Sequence, residues 1–210
     1  MKNPVVVLGH TVLQNRSIYN FYQSLVGGVA YRSRFMDSVY NENINTLLDL
    51  GCGTGAIMRL ISAKTRYIGI DSSPEYLRSA SQRGMVCQLI TADVASESWK
   101  NKVEISGTSL ATALGLFHHL NEEQLHALLS HCADLLPPSG QLVSVDPVIV
   151  QSTTRIAKWF AKNDRGVYLR DPKHLEEILM RYGFRTSVQI KKREFRIPLD
   201  TIEIISTRKS

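Results

Sequence analysis

One short run of residues constrains the fold of this chain more than any other feature. Residues 47–55 are Leu-Leu-Asp-Leu-Gly-Cys-Gly-Thr-Gly, an apolar stretch followed by three glycines at alternate positions. The apolar stretch predicts a buried strand, and the glycines predict a tight turn into a helix. Such a turn lets the backbone approach a ligand closely and aims free helix N–H groups at it. The run therefore predicts a strand, turn and helix that bind a ligand.

The same alternation of strand and helix continues along the chain. From Leu47 onward, short apolar runs alternate with helical patterns, which predicts βαβ units and an α/β fold with a doubly wound, mostly parallel sheet. Beyond Gly183, alternating residues such as Val188 and Ile190 predict a terminal antiparallel pair. The predicted parallel strands lie near residues 47–50, 67–70, 87–91, 108–114 and 141–146.

Helix boundaries have clear signals at three places. Ser73 followed by Pro74 predicts one helix start, and Asn121 with Gln124 three residues later predicts another. Asp171 followed by Pro172 predicts a third start, and Gly183 predicts the end of that helix.

The N-terminal region has a pattern of its own. Apolar residues between Ile18 and Val29 recur at helical spacing until Gly27 and Gly28 weaken it. We predict that residues 1–46 form a helical cap and that residues 47–210 form the ligand-binding domain, within a single compact domain overall.

Composition narrows the class of protein. With 210 residues, the chain is long enough for one sizeable core, and it has no apolar run of the roughly 18 residues that a membrane helix needs. Its three cysteines, Cys52, Cys87 and Cys132, form no Cys-x-x-Cys motif, so neither a disulfide framework nor a zinc site is expected. We expect a cytoplasmic protein that needs no metal.

The basic charge is a weaker signal. The net charge of +6 suggests an anionic partner, but the basic residues are spread along the chain. The exception is the run Lys191-Lys192-Arg193, which we interpret as a solvated strand face, so nucleic acid is not the expected partner.

The glycine turn alone leaves two kinds of ligand open. Gly51, Gly53 and Ala56 also satisfy the dinucleotide fingerprint, with Asp71 as the ribose acid. Asp49 distinguishes between these two kinds of ligand, because it precedes the first glycine by two residues and so lies close to where the pyrophosphate of a dinucleotide would lie. Two unit charges about 4 Å apart interact by about 4 kcal/mol at an effective dielectric of about 20. This term repels a pyrophosphate and attracts a ligand with an ammonium and a sulfonium, such as S-adenosylmethionine (SAM).

Three carboxylates share a common spacing. Asp49, Asp71 and Asp93 lie one βα unit apart, so all three are expected at the carboxyl ends of neighbouring strands. Asp71 can accept from both ribose hydroxyls, and Asp93 can accept from the adenine amine. The alternative is that each is a helix cap or turn residue.

Four segments together resemble a known family. LLDLGCGTG, IGIDSSPEYL, TADV and LGLFHHL are similar to the successive motifs of class I SAM-dependent methyltransferases, in the small-molecule branch that includes quinone-biosynthesis enzymes. The resemblance covers residues 45–207 and implies a Rossmann-like sheet of seven strands with an antiparallel last strand. It also implies methyl transfer from SAM, with S-adenosylhomocysteine as product. The cofactor-binding residues expected from it are Asp49, Gly51, Cys52, Gly53, Gly55, Asp71, Ser72, Asp93, Val94 and Leu116, with Tyr22 as a further contact from the cap.

The acceptor side is less constrained by sequence. His118 and His119 follow the fourth strand, either as a general base or as packing residues at a helix entrance. The fourth strand does not end in Asn/Asp-Pro-Pro-Tyr or Phe, so O- or C-methylation of a metabolite, lipid precursor or sugar is the main hypothesis. The alternatives are an RNA or protein methyltransferase and a SAM-binding module without catalysis. Candidate contacts to an acceptor, including a carboxylate or phosphate on it, are Asp146, Arg165, Tyr168 and Arg170.

Overall fold

The computed structural model describes residues 28–84, 87–162, 168–192 and 198–209. Seven strands and five α-helices form the described chain, with three short 3-10 helices at Ala56–Leu60, Glu97–Lys102 and Phe117–His119. The strands are β1 Thr46–Leu50, β2 Arg66–Asp71, β3 Cys87–Thr91, β4 Ser109–Leu114, β5 Gln141–Pro147, β6 Phe184–Lys192 and β7 Asp200–Arg208. The α-helices are α1 Gly28–Val39, α2 Pro74–Ser81, α3 Glu122–Leu135, α4 Arg155–Lys162 and α5 Pro172–Arg181.

The strands form one seven-stranded sheet in the order β3-β2-β1-β4-β5-β7-β6. Strands β1 to β5 pair in parallel, and β7 lies antiparallel between β5 and β6. This confirms the doubly wound, mostly parallel sheet and its antiparallel last strand. Because the strand order reverses between β1 and β4, their carboxyl ends flank the crevice where doubly wound sheets bind ligands.

The sheet separates two apolar clusters. Leu47 lies in one cluster, and Leu48 and Leu50 lie in the other, as expected when successive strand side chains point to opposite faces. Helices cover both faces, so the central strands are apolar on both sides. This double burial fixes the strand register and therefore the positions of the residues at the strand ends.

The predicted helix starts are confirmed by their capping bonds. Asn121 and Gln124 form a reciprocal capping box, with the Gln124 amide donating to Asn121 Oδ1 at 2.8 Å. The Ser73 hydroxyl caps α2, and the Asp171 carboxylate caps α5. Each cap satisfies backbone donors that the first turn leaves open.

Two details differ from the sequence predictions. The segment after the glycine turn is a 3-10 helix, because Gly55 enters it in a left-handed conformation and Ile61 is already extended. Gly28 lies within the helix α1, although the glycine pair was predicted to weaken the helical pattern there. Burial of Phe35 and Met36 in α1 offsets the helix cost of glycine, about 1 kcal/mol. The helical pattern predicted before Gly28 lies outside the described residues.

Helix α1 is fastened to the sheet rather than standing apart from it. The Tyr31 hydroxyl donates to Glu203 Oε1 on β7 at 2.6 Å. Of the described helices, none has the length and apolar character to cross a lipid bilayer.

Candidate functional site

The glycine turn forms the floor of the crevice. Gly51, Gly53 and Gly55 all have positive φ angles, of 67°, 54° and 69°. A Cβ atom at Gly51 would lie 2.9 Å from Leu116 Cδ1, so this glycine admits the side chain of Leu116. A Cβ atom at Gly53 would meet nothing within 4 Å. The turn therefore presents bare backbone to open space at the carboxyl end of β1.

Asp71 holds this turn in place from the end of β2. Its Oδ2 accepts the backbone amide of Gly53 at 2.8 Å, and its Oδ1 accepts the amide of Ser73 at 2.8 Å. These bonds use two of about four lone-pair sites on a carboxylate. Asp71 is half-buried, so it retains acceptor capacity at the edge of the crevice.

Asp49 lies inside the sheet rather than on the crevice surface. Tyr67 donates its hydroxyl to Asp49 Oδ2 at 2.6 Å, and Thr112 donates to Oδ1 at 2.8 Å. Burial is the main cause that raises the pKa of Asp49 to about 6, and these two hydrogen bonds oppose the rise. Both oxygens are bonded within the sheet. The negative charge of Asp49 therefore acts on the crevice electrostatically, across the glycine turn. Its predicted role toward the cofactor stays a prediction.

Asp93 and its neighbours lie just after the end of β3. Asp93 is exposed, and its Oδ1 accepts the amide of Ala95 at 2.9 Å, which is the local bond of a turn residue. The Val94 carbonyl accepts the indole N–H of Trp99 at 3.1 Å. Ser72 is also exposed, at the end of β2. The three predicted carboxylates thus lie on three adjacent strands or just beyond them: Asp49 within β1, Asp71 at the end of β2 and Asp93 after β3.

His118 and Asp146 form a buried pair on the other side of the crevice. His118 Nδ1 lies 2.7 Å from Asp146 Oδ1, and the same oxygen accepts the His118 backbone amide at 3.1 Å. Asp146 is only 3% exposed, and its Oδ2 has no hydrogen-bond partner. One oxygen of the Asp146 carboxylate therefore holds the histidine, and the predicted contact of Asp146 with the acceptor stays a prediction.

The two histidines have different environments. His118 is buried, whereas the adjacent His119 is exposed. Their ring centroids lie 4.1 Å apart at an interplanar angle of 39°. The ring of His118 contacts a carboxylate, that of Asp146.

Arg170 supports the turn that carries His118. Its guanidinium donates to the carbonyls of Phe117 and Leu120, at 2.8 and 2.6 Å, and to Glu122 Oε2 at 3.0 Å. The side chain is nearly buried by these contacts. Its predicted binding of an anion on the acceptor stays a prediction.

The remaining predicted acceptor and cap contacts have mixed outcomes. Tyr168 is exposed, and its backbone amide donates to the His118 carbonyl at 3.1 Å, so it lies beside the histidine turn. Tyr22 and Arg165 lie outside the described residues. Their roles stay predictions.

Several partners were missed by sequence reasoning. Thr112 lies directly opposite Asp49 in the register of β1 and β4, and a polar residue within an apolar strand was the available signal. Tyr67 on β2 is the second partner of Asp49. Glu122, which binds Arg170 and His174, had no signal beyond its place in a first helical turn.

Two of the three cysteines are buried thiols. Burial raises the pKa of Cys132 to about 12, and it also raises the pKa of Cys52. Neither of these two thiols is an activated nucleophile. Among residues 28–84, 87–162, 168–192 and 198–209, no group of three or more His, Cys, Asp or Glu side chains is arranged to hold a metal ion.

The central part of the chain is similar to known sequences. Residues 47–140 match the profile of a family described as a methyltransferase domain. Trans-aconitate 2-methyltransferase from Escherichia coli (strain K12 / DH10B) is 31% identical over 104 residues, and the enzyme from Escherichia fergusonii is 33% identical over 104 residues. Each alignment covers 48% of this chain and 38% of the relative, so the chain matches well under half of these relatives' length.

Solved structures extend the comparison to nearly the whole chain. A SAM-dependent methyltransferase from Archaeoglobus fulgidus superposes with a TM-score of 0.70 at 16% identity, covering 90% of this chain and 99% of that one. Human N-acetylserotonin methyltransferase in complex with SAM gives 0.68 at 17% identity, covering 95% of this chain and 58% of that one. The chain therefore has the same fold as these solved methyltransferases. Within this fold, the match to the methyltransferase-domain family covers residues 47–140.

Proposed function

We propose that this protein binds SAM and transfers its methyl group to a small-molecule acceptor. The observation that carries the proposal is the glycine turn: Gly53 faces open space while its amide is fastened to Asp71. Backbone that is open and yet fixed is suited to close contact with a ligand.

The residues around the crevice fit SAM. The turn from Gly51 to Gly55 would hold the methionine end, Asp71 the ribose and Asp93 the adenine. When bound, SAM supplies a methyl group activated by a positive sulfonium. The protein's own contribution is to hold an acceptor in line with that group and to exclude water, since such a displacement requires no metal.

His118 is our proposed general base, with Asp146 as its positioning residue. A proton on Nδ1 donated to Asp146 leaves the basic lone pair on Nε2. The second bond, from the His118 backbone amide to the same oxygen, fixes the ring relative to the turn. This arrangement can remove a proton from an acceptor hydroxyl or ammonium during transfer.

The acceptor class is supported by the relatives and by the sequence of β4. The curated relatives are named for a carboxylate, trans-aconitate, and two structural neighbours are named for N-acetylserotonin and magnesium protoporphyrin IX. Strand β4 leads through Gly115 into the His118 turn without the Pro-Pro motif of many nitrogen methyltransferases. A small metabolite methylated at O or C fits these features. The likeness to quinone-biosynthesis enzymes and the cytoplasmic location stay predictions.

Calorimetry with SAM, S-adenosylhomocysteine and NAD tests the cofactor half of the proposal. We expect micromolar binding of the first two and none of NAD. Binding of NAD alone would overturn the assignment. Formation of S-adenosylhomocysteine from SAM with a panel of carboxylates, phenols and sugars then tests the acceptor half. Cofactor binding with no turnover on any acceptor, including RNA and protein, would leave a binding module instead of an enzyme.

A further inference from the structure

Helix α4 carries two of the exposed large apolar side chains of the described chain. Ile156 is 62% exposed and Trp159 is 60% exposed. They lie three residues apart and therefore on the same side of the helix. Large exposed apolar groups in contiguous positions mark interaction surfaces more often than isolated ones do.

The other two sides of α4 are equally well defined. Ala157 and Ala161, four residues apart, are buried and seat the helix on the protein. Arg155 and Lys158, three residues apart, form a basic side next to the apolar one. Because the alanines fix the rotation of the helix, the apolar and basic sides both face outward.

Strand β6 extends this surface. Lys192, at the end of β6, donates its Nζ to Ser152 Oγ at 2.8 Å, three residues before α4 begins. On the same side of the strand, two residues earlier, Ile190 is 42% exposed. Lys192, which belongs to the basic run that sequence analysis assigned to a solvated strand face, thus lies near the start of the apolar helix.

The segment that contains α4 carries charges of one sign only. Residues 148–162 contain three basic side chains and no acidic one. Apolar and basic sides on one helix, with a tryptophan at the apolar side, are the features of helices that lie in the interface of an anionic bilayer. Aliphatic groups such as Ile156 and Ile190 fit the acyl boundary of a bilayer, whereas nucleic acid offers them no comparable contact.

We propose that α4 and the end of β6 form a peripheral docking surface for anionic lipid bilayers. Ile156 and Trp159 enter the headgroup boundary, and Arg155, Lys158 and Lys192 contact anionic headgroups. The surface attaches the protein reversibly to a membrane without any segment crossing it. This assignment is independent of the proposed methyl transfer.

Sedimentation of the full chain with vesicles tests the proposal. We expect binding to vesicles of phosphatidylcholine mixed with phosphatidylglycerol, weak binding to phosphatidylcholine alone, and release at high salt. Tryptophan fluorescence gives a second readout, because Trp159 is 60% exposed while Trp99 is 0% exposed. Anionic vesicles should shift the emission to shorter wavelength and protect it from acrylamide.

Two double variants and one matched control locate the surface. Ile156→Ser with Trp159→Ser and Arg155→Glu with Lys158→Glu should each weaken vesicle binding on the order of tenfold or more. Met180→Ser with Arg181→Glu makes the same kinds of change on α5 and should leave binding unchanged. Thermal unfolding of each variant confirms that it is folded.

Three outcomes would overturn the proposal. The first is wild-type protein that sediments with neither kind of vesicle. The second is an equal loss of binding in the α5 control. The third is binding of labelled single-stranded RNA to the wild type that is lost in both α4 variants, while vesicles do not bind the wild type. This result would assign the surface to nucleic acid.

Discussion

The two sides of the crevice are built in different ways. On the side of β2 and β3, backbone amides hold the carboxylates: Gly53 and Ser73 donate to Asp71, and Ala95 donates to Asp93. On the side of β4 and β5, distant side chains hold one another, as in the pair of His118 and Asp146. The difference predicts that substitutions on the first side change cofactor affinity, whereas those on the second change turnover or stability.

The largest expected effect separates turnover from cofactor binding. His118→Ala should lower kcat by about 10²- to 10⁴-fold, the usual contribution of a general base, while SAM affinity stays nearly unchanged. His119→Ala is the matched control, because His119 is exposed whereas His118 is buried, and it should have a small effect. Steady-state kinetics and calorimetry measure both quantities. Equal losses in the two variants, or a parallel loss of SAM affinity, would remove the distinction between the two sides.

A second substitution tests the support of the histidine turn. Arg170→Ala should lower the free energy of unfolding by about 2–4 kcal/mol, because it leaves the buried carbonyls of Phe117 and Leu120 without donors. Urea denaturation measures this loss, with exposed Arg181→Ala as the control. Unchanged stability together with weaker binding of anionic acceptors would support the prediction that Arg170 binds an anion on the acceptor.

Asp49, which lies within β1 and is held by the side chains of Tyr67 and Thr112, should give the stability of the protein a pH dependence of its own. The pKa of this buried carboxyl is raised from 3.8 to about 6, so between these values the folded protein binds more protons than the unfolded chain. Stability from this group is therefore present at about pH 4 and lost as the pH rises through about 6, by about 3 kcal/mol at most.

The comparison of wild type with Asp49→Asn isolates this contribution. Asparagine keeps the size of the side chain and removes its titration. Urea denaturation at a series of pH values should show a falling difference in stability between the two proteins from pH 4 to 6. Two parallel pH profiles would show that Asp49 titrates normally.

The smallest expected effect concerns the ribose. Asp71→Ala should weaken SAM binding by about 1–3 kcal/mol through unmatched hydroxyls, without unfolding the protein. Asp71→Asn keeps one acceptor oxygen and should lose less. Calorimetry measures both variants, and unchanged affinity in Asp71→Ala would place the ribose elsewhere.

Local features of the fold were predictable from the sequence. The capping box of Asn121 and Gln124 and the Pro at position 172 act within one helical turn, so their signals need no tertiary context. The strands were located because burial on both sheet faces requires continuous apolar runs. The spacing of Asp49, Asp71 and Asp93 likewise followed from one βα unit of chain.

Long-range pairings were not predictable. Asp146 meets His118 across 28 residues, and Arg170 meets Phe117 across 53. Sequence analysis assigned both Asp146 and Arg170 to the acceptor, because nothing within the turn of either residue indicates a distant buried partner. The partners of Asp49 were missed for a related reason, since Tyr67 and Thr112 reach it only through the register of the sheet.

The bond from Gly53 to Asp71 links two subsites that ligands would occupy separately. A nucleoside fragment that engages the carboxylate acts on the same group that holds the backbone for the amino-acid fragment. The two halves of the cofactor, offered as separate molecules, should therefore bind with positive cooperativity, each sharpening the site for the other. Part of the affinity for the intact cofactor would then come from thermodynamic linkage between the binding of its nucleoside end and the binding of its amino-acid end.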